Sequence, residues 1–129
     1  MNKKFNLILV AVILLAIGLG CSAEKPEMPS TDAQNALVKQ TMGEFTKGVE
    51  TENFSSLVQS ASKEFQTQLP AEKIKAAFQT MIDKKELALP LLQSTAAMTP
   101  VYEGTPAIRE DRGNYILDLK GSFPTDLAK

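Results

Sequence analysis

The sequence predicts an α+β domain carried behind an apolar leader. Between Leu37 and Ile82, apolar residues recur at three- and four-residue spacing, the period of helices that bury one face. Prolines at 90, 100 and 106 then interrupt the chain, and Asn114–Gly121 alternates apolar and polar side chains as a half-buried strand does. Helices followed by antiparallel strands is the α+β order. Ahead of all this, Leu7–Leu19 is aliphatic apart from one glycine, and it leads into Cys21, the single cysteine of 129 residues.

Residues 1–20 have the three-part layout of a secretory signal peptide: Lys3-Lys4, the aliphatic run, then small residues. As a helix the run spans about 20 Å, short of the ~30 Å hydrocarbon core, so a permanent membrane anchor is the weaker reading. Residues 21–31, with Pro26, Pro29 and scattered charges, read as a flexible tether. The domain then occupies residues 32–129. Thr31 and Gln34 fit a capping box, so a helix is expected from there to about Glu50, with Leu37, Val38, Thr41, Met42, Phe45 and Val49 on its apolar stripe. Gly43 and Gly48 weaken that helix but can admit a close neighbour. After a break at Thr51–Asn53, Phe54, Leu57, Val58 and Ala61 give a short second face, with Phe65 and Leu69 closing it on the core. Pro70 suits a helix start, and Ala71–Ile82 is the strongest helical segment. Beyond Leu89 the prolines argue against long helices, and Pro90–Ser94 reads as a helical turn or an irregular link. A short strand is expected at Thr99–Glu103, another segment starts at Ala107-Ile108, a turn follows at Arg109–Gly113, and the clearest strand is Asn114–Gly121, with Tyr115, Leu117 and Leu119 inward and Ile116, Asp118 and Lys120 on a wet face.

The aliphatic run, Gly20 and Cys21 resemble the lipobox of bacterial lipoproteins. Leu19 and Gly18 stand in the reverse of that family's usual order. The resemblance implies a lipid on the Cys21 thiol, cleavage before it and acylation of the new amine, which places the protein at a membrane on the exported side. With Ser22 next, it is compatible with the outer membrane of a Gram-negative cell. One acyl chain holds a protein reversibly and two hold it stably, so multiple acylation suits an anchor. The alternative is ordinary cleavage after Gly20 or Ala23, leaving a soluble exported protein.

Farther along, Ala36-Leu37-Val38, Asn53-Phe54, Leu69–Lys73, Ala77-Phe78-Gln79, Thr99-Pro100-Val101 and Leu117–Thr125 resemble small secreted proteins of the NTF2-like, or SnoaL-like, kind. That resemblance implies helices packed on a strongly curved antiparallel sheet around a conical pocket. Here the best strand comes only shortly before Lys129, so the sheet is expected to be incomplete. A fragment, a reduced variant or a second copy supplying the open edge each account for that.

Composition narrows the chemistry. Beyond Cys21 there are 12 basic and 15 acidic residues of mixed pattern, which argues against nucleic acid as a partner. The absence of histidine removes the usual general base and the usual metal ligand, and no glycine-rich phosphate loop is present. Ser62-Lys63 reads as a solvated helix end, and Glu110-Asp111 as carboxylates paired with Arg109 and Arg112. No catalytic residue, cofactor or metal is therefore expected. The expected function is a membrane-anchored, non-catalytic domain that binds an envelope protein or its own copy. The alternative is a carrier or sensor of a small apolar ligand, with Phe78, Met81, Tyr115, Leu117 and Phe123 lining the pocket; as core residues these five need no ligand.

Overall fold

A computed structural model of the chain describes residues 9–13 and 24–124. Residues 24–30 run without regular structure and are mostly exposed, and Ser30 then caps the first helix, α1 (Thr31–Thr51). The Ser30 hydroxyl accepts from the Ala33 N–H at 3.2 Å, so the cap lies one residue before the expected Thr31. Gln34 does reach back, but its amide donates to the Pro29 carbonyl at 2.8 Å and is buried there. Val38, Met42, Phe45 and Val49 form the buried stripe. The helix ends at Glu52, a left-handed residue at φ 57° whose N–H donates to the Gly48 carbonyl. Asn53 then accepts from the Ser55 N–H at 2.9 Å and starts α2 (Ser55–Gln59).

Phe54, 1% exposed, is driven into the core between these two helices. Its full burial contributes roughly 1.5–3 kcal/mol. The ring lies on Gly48, where any side chain would meet it. Phe45 and Phe78 complete an aromatic trio, with centroids 5.8 Å apart for Phe45–Phe54 and 4.8 Å apart, edge-on, for Phe45–Phe78. In α3 (Lys63–Gln68), Phe65 packs against the core as expected, whereas Leu69 is left exposed.

The segment expected as one helix is divided. α4 (Ala71–Ala77) and α5 (Gln79–Asp83) meet at Phe78, whose backbone leaves helical geometry as its ring joins the trio. A third helix, α6 (Lys85–Ser94), comes next and runs through Pro90, past the point where only a helical turn or an irregular link is expected. Pro90 lies inside it. It removes one helical hydrogen bond, and Pro90 itself is exposed, so solvent is available to the freed carbonyl on that side. A 3₁₀ turn (Thr95–Ala97) leads to the sheet.

The sheet is antiparallel and centred on β4 (Asn114–Ser122). Along one side lie β2 (Val101–Tyr102), opposite Ser122 and Gly121, and β3 (Ala107–Asp111), opposite Asp118 to Asn114. Together they make one edge strand interrupted at Gly104–Pro106. β3 extends through residues expected as a turn: the turn itself is only Arg112-Gly113, both at positive φ (51° and 80°), the geometry of a tight two-residue hairpin. On the other side of β4 runs β1 (Leu9–Ile13), with Leu9 opposite Gly121 and Ile13 opposite Leu117. Part of the aliphatic run thus occupies a sheet edge, a position that suits Leu, Val and Ile as well as a leader does.

Leu117 and Leu119 face the helices and join the core. Ile116, on the face expected to be wet, is only 2% exposed; it lies opposite Arg109 in register. The fold is α+β, with helices against one face of a small open sheet.

Candidate functional site

Cys21, the expected lipid attachment residue, lies outside the described residues. From Glu24 to Ser30 the chain is a mostly exposed stretch without secondary structure, hydrogen-bonded to α1 through the Pro29 carbonyl and the Ser30 hydroxyl. From Cys21 to Ser30 an extended chain reaches about 30 Å.

The five expected pocket residues take different places in the fold. Phe78 stacks in the aromatic trio, Met81 packs partly buried beside the core, and Leu117 is fully in it. Tyr115 is half-buried near the start of β4. Phe123 alone lines a recess, which it shares with Val38, Pro100, Tyr102, Leu119 and Gly121. The recess measures about 20 Å³, room for roughly one water and far from a ligand cavity. Its tightness has a backbone cause. At Gly121 the main chain of β2 approaches so closely that a Cβ would collide with the Val101 carbonyl and lie 3.1 Å from the Tyr102 Cα.

Tyr102 closes the recess, a role that no pattern in the sequence signals. Its hydroxyl donates to Asn35 Oδ1 at 2.8 Å, tying β2 to the first turns of α1 across 67 positions of sequence. Burial pushes its phenol above the ordinary value. Only the tertiary arrangement brings these two together; neither residue has a local motif.

Some of the charged groups pair with one another. Glu52 receives Lys85 at 2.8 Å and Lys75 at 4.0 Å, and the Lys85 hydrogen bond and charge hold its carboxyl below the usual range. Across the sheet's outer face, Asp118 pairs with Arg109 at 2.8 Å and Lys120 with Glu103 at 3.2 Å. Asp111 sits 3.6 Å from Arg109, in line with the charge pairing expected there. The Ser62 hydroxyl caps α3 by accepting from the Phe65 N–H at 3.2 Å, a structural use of the Ser-Lys pair. Among the described residues, no group of three acidic, histidine or cysteine side chains is placed to hold a metal ion, and no helix is long and apolar enough to cross a membrane.

Comparison with protein-family models, curated proteins and solved structures finds no match to this chain.

Proposed function

We propose that the chain is the precursor of a bacterial lipoprotein, anchored by lipid at Cys21 on the exported side of a membrane, whose NTF2-like domain is a non-catalytic interaction module of the cell envelope. The observation that carries this reading is the run Leu7–Leu19 between Lys3-Lys4 and Gly20-Cys21, a leader abutting a lone thiol. The exposed stretch after Glu24 supports it, because an anchored domain needs a tether free of its own packing.

The test compares the full chain with Cys21→Ala in a bacterial host. Mass spectrometry of the wild type should find residues 1–20 removed and fatty chains on Cys21, in the membrane fraction. The variant should either keep its leader or leave the membrane. A wild-type chain that carries no lipid would refute the proposal.

A further inference from the structure

The two long edges of the sheet are built differently. The free side of β3 presents Arg109, Glu110 and Asp111, mostly exposed, and is kinked off at Gly104–Pro106. Charges and kinks of this kind discourage strand addition. The Leu117–Gly121 edge of β4 has no such kink, and its two charges, Asp118 and Lys120, are of opposite sign. The Lys120 carbonyl accepts from the Glu103 N–H at 2.7 Å on the β2 side, so strand alternation turns the N–H and C=O groups of Leu117, Leu119 and Gly121 the opposite way. There they meet β1, which belongs to the leader that lipoprotein processing would remove.

We infer that leader cleavage opens this edge and that a second copy of the chain takes the place of β1, β4 against β4. The pairing rests on the lipoprotein reading. The span Leu117–Gly121 is self-complementary about Leu119. In an antiparallel two-fold pair, Leu119 meets its own equivalent, Leu117 faces Gly121, and about six backbone hydrogen bonds form. Asp118 falls opposite Lys120 of the second copy, and Lys120 opposite its Asp118. Both side chains sit on the outer face, so each cross-strand contact joins opposite charges. The two sheets become one continuous sheet with both helical layers on the same side.

The pairing places residues 118 and 120 of the two copies in a non-hydrogen-bonded site, where Cα atoms lie about 4.5 Å apart, within disulfide range. Full-length Asp118→Cys/Lys120→Cys, expressed in a bacterial host and oxidised in its membranes, should give a reducible band at twice the monomer mass. Arg109→Cys/Asp111→Cys, on the β3 edge, should not. Processing is read from the same samples by mass. A processed chain that stays monomeric overturns the second-copy pairing and leaves the lipoprotein reading standing. A chain that keeps residues 1–20 overturns both. A second measurement avoids cysteines. Lys120→Glu should weaken the dimer of detergent-extracted protein about tenfold, since two attractive cross-strand contacts become repulsive. A dimer indifferent to Lys120→Glu also overturns the inference.

Discussion

Gly48 and Gly43 sit on the same helix five residues apart, and the structure gives them opposite fates. A Cβ at Gly43 meets nothing within 4 Å. At Gly48 it would press into the Phe54 ring, 2.7 Å from Cε1 and 3.1 Å from Cγ. Alanine gains about 1 kcal/mol over glycine in a helix interior, and that gain is common to both sites. Overpacking a filled core costs about 1–3 kcal/mol, and Phe54 is fully enclosed, so it yields poorly. Gly43→Ala should therefore stabilise the domain by about 1 kcal/mol, and Gly48→Ala should fall below it by the overpacking term of about 1–3 kcal/mol. For a domain of this size the two melting temperatures should differ by at least about 4 °C. Thermal and urea unfolding monitored by circular dichroism measure both variants against the parent. If Gly48→Ala proves as stable as Gly43→Ala, the close packing of Phe54 on α1 is wrong.

Two titrating groups give further tests. Tyr102→Phe should cost about 0.5–1.5 kcal/mol through the lost bond to Asn35, measured by urea unfolding. Because the phenol of Tyr102 is raised in the folded state, its contribution is full below pH 10 and is lost as pH climbs toward the folded value; the variant should flatten this alkaline decline, and an unchanged pH profile would count against the buried phenol. Glu52 has the opposite sign. Its lowered carboxyl favours folding above its ordinary value of 4.5 and loses that contribution as pH falls through the folded value. Lys85→Met should return the Glu52 titration, monitored by NMR, toward the ordinary carboxylate range, and a titration that does not move would assign the shift elsewhere.

The parts legible in the sequence are those whose neighbours along the chain decide the outcome. The stripe Val38, Met42, Phe45, Val49 announces α1 because helical spacing alone brings it together, and the alternation around Leu117 and Leu119 announces β4 in the same way. Ser30 and Thr31 can both cap a helix, and the choice of Ser30 is a backbone detail that one residue of sequence does not resolve. Pro90 hides α6, although its penalty softens because the residue is exposed. The charges of β3 hide that strand, reading as a turn until Asp118 is seen to take Arg109. The division of the Ala71–Ile82 segment at Phe78 depends on Phe45 and Phe54, far away in sequence. The candidate recess is legible only at Phe123, since which side chains share a cavity depends on how β2 and β4 cross α1.

The strand around which the sheet is organised comes late in synthesis, after every described element it pairs with. Among the described residues every ladder includes β4, so the sheet is not complete until synthesis has passed residue 122. Some hundred residues separate Ile13 from its partner Leu117, an interval of about 5–20 s at ordinary translation speeds. Through that window the nascent chain can form helices but cannot shut its core, and the oily segment at its front stays unclaimed. The sheet therefore closes only after the helices that cover it have been made.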